Sequence, residues 1–149
     1  MKSAGTDSGQ RGAVAVEFAL VSLLFATLLI TIIGFGHWMY TLEMVADATR
    51  MGTRMAVVCN INAATIKQRI EQRVPQLGLA NAQVALTYFP AGCTKNNCQS
   101  VTVALSGVSY SSWIPFLPSS LAVPPFTTTL PRESLESVDE AGETNPVCS

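Results

Sequence analysis

Glu17 is the residue around which chemistry on this chain turns. It lies in Arg11-Gly12-Ala13-Val14-Ala15-Val16-Glu17-Phe18, five residues after a glycine. From Phe18 to Tyr40 no residue carries a full charge at neutral pH. At about 1.5 Å of helical rise per residue that run spans roughly 34 Å, enough to cross the hydrocarbon core of a bilayer. A carboxylate at its edge is costly to keep, by about 3 kcal/mol if it sat at mid-membrane. Cleavage after Gly12 supplies a reason for it. The cut would leave an α-amino group on Ala13, one helical turn from Glu17. Gly12 has no side chain, so a peptidase could approach the Gly12-Ala13 bond closely and hold it extended. Afterwards the carboxylate could neutralise the amine of its own chain or of a neighbour, in surroundings where such a pairing is strong. A Glu merely pointing at lipid headgroups is the plainer alternative.

Nothing else in the chain suggests catalysis. His37 is the only histidine and sits beside Trp38 and Tyr40, a cluster that reads as a membrane-interface belt. There is no phosphate-binding glycine loop and no nucleophile elbow. Cys59, Cys93, Cys98 and Cys148 could in principle form a four-thiolate zinc site. All four lie on one side of the span, however, and an even set so placed reads as disulfides in an oxidising compartment. Neither a metal nor a cofactor is expected, and the chain reads as a substrate and building block rather than an enzyme.

The elements that position these residues follow from 149 residues and a net charge of −1, which gives no reason to invoke nucleic acid. Residues 1–12 read as a polar leader without fold and 13–40 as a transmembrane helix. Residues 41–59 form an amphipathic stem, 60–131 a small domain, and 132–149 an acidic, solvated tail. Lys2 and Arg11 before the span favour a cytoplasmic N-terminus, Arg50 and Arg54 beyond it weaken that count, and the four cysteines on one side break the tie and put the bulk of the protein in the periplasm. An uncleaved signal anchor has the same length and remains the alternative.

Along the stem, Met44, Ala48, Met51, Met55 and Val58 recur at spacings of four and three, an apolar stripe on one helical face. Beside it run Glu43, Asp47, Arg50 and Arg54, acids first. One reading is a stem packed on its own domain. Another is lateral assembly: Glu43 and Arg50 are seven residues apart, as are Asp47 and Arg54, so parallel helices staggered by about 10 Å would match acid to base twice. Such exposed pairs, under about 1 kcal/mol each, would set register.

Asn60 or Asn62 is expected to cap a second helix through Ile66, Ile70 and Val74, ending near Pro75 and Gly78. Val84, Leu86 and Tyr88, then Val101, Val103 and Leu105, alternate as two antiparallel strands. The polar turn between them is bracketed by Cys93 and Cys98, which are expected to pair. Cys59 with Cys148 then follows by elimination only, since four cysteines allow three connectivities. From Tyr110 to Pro131, repeated prolines with Trp113, Phe116 and Phe126 suggest a loop, either covering the core or offering aromatics outward. The fold class is thus α+β: a long N-terminal membrane and stem helix, then a small disulfide-stapled domain with a short antiparallel sheet.

The basic leader, Gly12 before Ala13, Glu17 and Phe18 resemble the processing site of type IV pilin-like proteins. With Gly34-Phe35-Gly36-His37 and Ala46-Asp47-Ala48-Thr49-Arg50-Met51-Gly52-Thr53-Arg54, the chain resembles the TadE-like minor pilins (pseudopilins) of the tight-adherence (Tad) pilus system. More loosely, Val101-Thr102-Val103, Pro115-Phe116-Leu117-Pro118 and the segment from Leu130 to Glu133 are similar to that family's ending. Members often carry an acid and an arginine around the Phe-Gly pair, where this chain has Gly34 and His37. The resemblance implies cleavage by a membrane-embedded prepilin peptidase on the cytoplasmic face. It also implies partnership with other pilin subunits, the inner-membrane assembly platform and the lipid bilayer, and a role in priming or capping a fibre. The alternative is a single-span accessory or binding protein that never polymerises.

Overall fold

A computed structural model describes residues 7–80, 83–112 and 118–149, with side chains from residue 12 onward. Helix α1 comprises Asp7–Val58 and contributes to two compact units, Met1–His37 and Trp38–Ser149.

In the first unit every residue from 12 to 33 is exposed, including Phe18 and Leu24, as is Phe35 just beyond. A helix apolar all round has no face to turn toward water, so this surface demands an apolar solvent. Among the described residues, α1 is the one helix long and apolar enough to cross a membrane. The hydroxyls of Ser22, Thr27 and Thr31 donate back to the carbonyls of Ala19, Leu24 and Thr27 at 2.8–3.0 Å, so these three hydroxyls are paired within the apolar run. The helix also includes residues 7–12, where the sequence suggests chain without fold. Propagating an existing helix costs far less than nucleating one, and Gln10 and Arg11 are good helix formers.

The second unit adds α2 (Ala64–Arg73), a 3-10 turn (Pro75–Leu77) and five strands. Strands β1 (Val84–Phe89), β2 (Ser100–Leu105) and β5 (Phe126–Pro131) form an antiparallel sheet in the order β1-β2-β5. Val84 faces Leu105 across one ladder, and Val101 faces Leu130 across the other. Val101, Val103 and Leu105 turn inward from the central strand onto a core completed by Ile66, Ile70, Val74 and the stem. Two antiparallel strands at the expected places are therefore present, and Ile66, Ile70 and Val74 are buried as the pattern nominates.

Further details of the second unit depart from the sequence reading. First, the segment from Tyr110 to Pro131 is not simply a loop. It contains most of β3 (Ser109–Ser111), its partner β4 (Ser120–Ala122), and β5. Pro118, Pro124 and Pro125 fall between strands and Pro131 ends an edge strand, so no ladder loses a donor it needs. Trp113, Pro115 and Phe116 lie outside the described residues, while Phe126 packs against the core.

Second, neither asparagine caps α2: its N-cap is Ala63 with no side-chain bond. Asn62 instead takes a left-handed conformation (φ 58°) and donates its N–H to the Tyr88 hydroxyl at 3.0 Å. Asn60 is bound by Ser137, its N–H donating to Oγ at 3.0 Å while its Oδ1 accepts from the Ser137 N–H at 3.1 Å.

Third, the acidic tail is part of the fold. The last carbonyls of a helix have no intrahelical partner, and here the tail supplies them. Val57 O accepts from the N–H groups of Glu133 and Leu135, and Val58 O from the Glu136 N–H and the Ser134 hydroxyl. Leu135, only 1% exposed, anchors this cap in the core. Disulfides join Cys59 to Cys148 and Cys93 to Cys98, the pairs favoured by the sequence. Lys95, inside the smaller ring, pairs with Glu136, while the Arg132 guanidinium donates to the Lys95 carbonyl.

The stem's buried face is also turned by about one residue, roughly 100°, from the methionine stripe. Thr41, Val45, Thr49, Gly52, Thr53 and Ala56 are buried; of the stripe itself Ala48 and Met55 are buried, whereas Met44, Met51 and Val58 are only half-buried. Close approach explains the preference. A Cβ on Gly52 would lie 2.7 Å from Ile70 Cγ1 and nearer still to its Cδ1. Buried threonines are tolerated because their hydroxyls bond the preceding turn, Thr49 to Val45 O at 3.1 Å and Thr53 to Thr49 O at 2.7 Å.

Candidate processing and assembly site

Two groups of residues carry the functional expectations, and each lies within one unit. Gly12, Ala13, Glu17 and Phe18 occupy α1 in the first. All four are exposed, with Phe18 at 73%. A Cβ on Gly12 would meet nothing within 4 Å. The fold therefore gives no packing reason for glycine at position 12, in contrast to Gly52, which it requires. Gly12 is helical, and a glycine there lowers the cost of unwinding the helix locally.

The second group, Glu43, Asp47, Arg50 and Arg54, projects from the stem opposite its buried face, and all four residues are exposed. Successive positions at 100° put the four within about 60° of arc, so they form one stripe. Within the chain they behave differently. Asp47 is bound by Arg73, whose Nε and Nη2 both donate to Oδ2, at 3.0 and 2.9 Å. Among the described residues Glu43, Arg50 and Arg54 have no ion-pair partner. Arg73 is the residue sequence reasoning missed. It lies 26 residues from Asp47 on a separate helix, and no local spacing joins the two.

The interfacial reading of the aromatic cluster is revised for one member. Trp38 is half-buried and its ring centroid lies 5.5 Å from that of Tyr110, tilted at 60°, so it belongs to the domain's core. Tyr40 remains exposed. All four cysteines are in disulfides, which removes the thiolates a zinc site would need. Among the described residues no group of three or more His, Cys, Asp or Glu side chains is placed to hold a metal ion.

Comparison with known proteins gives one finding. Residues 12–54 match the model of a family described as TadE-like protein. The match opens on Gly12, runs through Glu17 and the apolar helix, and closes on Arg54, the last charge of the stem stripe. It stops before the disulfide-linked domain. No curated protein and no solved structure matches the chain.

Proposed function

From a TadE-like segment that associates this chain with the Tad pilus system, we propose that it is a minor pilin, processed after Gly12. The observation that carries the reading is the exposed Gly12, five residues ahead of Glu17, where the apolar run of α1 begins. The TadE-like family is a structural and accessory family of pili, not an enzymatic one. In this reading residues 1–12 are the leader, and a prepilin peptidase acts on them at the cytoplasmic face. Residues 13–40 hold the protein in the inner membrane, and the domain beyond the stem stands in the periplasm until assembly. Two disulfides suit that oxidising side.

Glu17 would then neutralise an Ala13 amine, its own or a neighbour's, once the span leaves lipid for a bundle of like helices. The domain, with its own core and helix-capping tail, favours a place at the start or end of a fibre over the bulk of its shaft. Bulk subunits of this system are little more than a stem. The chain acts through what processes it and what packs on it, not through a reaction of its own.

The test is substitution at Gly12. Gly12→Leu expressed with an active prepilin peptidase should accumulate as full-length precursor, while Glu17→Ala should be cut yet stay out of the fibre. Mature-size protein from Gly12→Leu would refute the processing claim.

A further inference from the structure

We propose that the groove between the stem and the C-terminal end of α2 binds a phosphoethanolamine headgroup of the bilayer that anchors the chain. The inference rests on the membrane-anchored part of the reading above and is independent of cleavage after Gly12. It names a ligand for a part of the molecule that the processing site does not use.

Position is the first argument. Tyr40, Glu43, Met44 and Asp47 follow one another along the stem at spacings of three, one and three, so they share a face. Opposite them stand Gln72 and Arg73 from the end of α2, then Pro75 and Gln76 from the 3-10 turn. Together these residues line an open groove of about 550 Å³. Tyr40 closes the uncharged run, and Asp47 lies seven residues further on, about 10 Å of helical rise. The interfacial layer of one leaflet is about 5–8 Å thick. The groove therefore starts where the hydrocarbon ends and covers the depth at which headgroups lie. Tyr40 is exposed and of the residue type that settles at that depth.

The chemistry of the lining selects the headgroup. Two carboxylates, Glu43 and Asp47, stand against one guanidinium, Arg73, so the groove carries an excess of negative charge. Arg73 places Nε and Nη2 on Asp47 Oδ2, at 3.0 and 2.9 Å. Among the described residues this leaves Asp47 Oδ1, both oxygens of Glu43 and Arg73 Nη1 without partners. Gln76 donates to the Met44 thioether at 3.3 Å, a weak acceptor, and keeps its own carbonyl open. The surplus is one of acceptors. A primary ammonium brings three donors to them and can lie against the Tyr40 ring. The phosphate joined to it takes the spare donor of Arg73. An anionic headgroup without an ammonium would set its phosphate against two carboxylates and offer Glu43 no charge partner. The groove thus prefers a zwitterionic lipid to an anionic one, the reverse of what basic juxtamembrane clusters select.

Native mass spectrometry of the full chain, released from detergent with dioleoyl phosphatidylethanolamine or dioleoyl phosphatidylglycerol, tests this. One ethanolamine lipid per chain should be retained, about ten-fold more tightly than the glycerol lipid. Glu43→Gln should lose most of that preference, and Glu43→Lys should reverse it. Tyr40→Leu should weaken retention of the ethanolamine lipid about three-fold. Glu143→Gln, a tail acid outside the groove, should behave as wild type. Glu43 is exposed and has no ion-pair partner among the described residues, so its variants should keep the wild-type thermal midpoint. Equal retention of both lipids by the wild type, or an unchanged preference in Glu43→Gln, would overturn the site. Soluble O-phosphoethanolamine separates the two sources of this chemistry. It should displace the lipid only in large excess; displacement at equal concentration would assign the groove to the free zwitterion and overturn the membrane ligand. The mass of the same sample reports whether residues 1–12 are present, so failure here and failure of the processing claim are read separately.

Discussion

Gly52→Ala sets two opposing effects against each other, and the structure decides between them. In a helix interior, alanine is favoured over glycine by about 0.5–1 kcal/mol, through lower chain entropy in the unfolded state. Against this stands Ile70. The new methyl carbon would sit 2.7 Å from Ile70 Cγ1, inside any real contact distance, with Cδ1 closer. Ile70 is fully buried, and Val103 lies 3.8 Å from the same point on the sheet side. The isoleucine therefore cannot swing clear, and α2 must shift away from the stem. Overpacking of this kind costs about 1–3 kcal/mol. The net expectation is a loss of about 1–2 kcal/mol, or roughly 4–12 °C in the midpoint for a domain of this size. Trp38, half-buried against Tyr110, offers a fluorescence signal for thermal unfolding of the full chain in detergent. Gly36→Ala is the control, because a Cβ there meets nothing within 4 Å. A midpoint for Gly52→Ala equal to or above wild type would refute the close-packing argument and show that the interface relaxes freely.

The two disulfides should differ in weight. The Cys59–Cys148 bond closes a sequence separation of 89 residues and the Cys93–Cys98 bond one of 5, so loop entropy assigns about 4.5 kcal/mol to the first and about 2 to the second. Denaturant unfolding of the paired Cys→Ser variants should rank them in that order, and the reverse order would show that the tail cap holds without its covalent tie. Stability should also fall in strong alkali through Tyr88. Burial raises its pKa above 10.0, outweighing the Asn62 N–H bond that lowers it. The folded chain then keeps a proton that the unfolded chain loses above about pH 10, so stability declines as pH rises from there toward the folded pKa. Unfolding followed from about pH 9 to about pH 11 should show this slope in wild type and a shallower one in Tyr88→Phe.

Periodicity carried most of the architecture. The apolar helix, α2 with Ile66, Ile70 and Val74, and the pair β1 and β2 all follow from local spacing. What the sequence hid is long-range. The centre of the stem's buried face depends on Gly52 meeting Ile70, a packing fact that no hydropathy pattern records, so the apolar stripe caught only one flank of that face, Ala48 and Met55. The tail reads as solvated acid because its charges are local, while its role lies in backbone N–H groups that reach the carbonyls of Val57 and Val58. Prolines obscured β5 because they stand beside the strand or at its last residue and not within it. At the candidate site the glycine and the four stem charges were legible by type and spacing. Arg73 was not, since its partnership with Asp47 exists only once α2 has docked.

The central claim, that this chain is a processed pilin, is tested most directly by the N-terminal residue and intact mass of the protein recovered from the membranes of its native host. The account predicts a chain that begins at Ala13. A retained leader, in cells whose prepilin peptidase is active, would contradict it and leave a single-span accessory protein in its place.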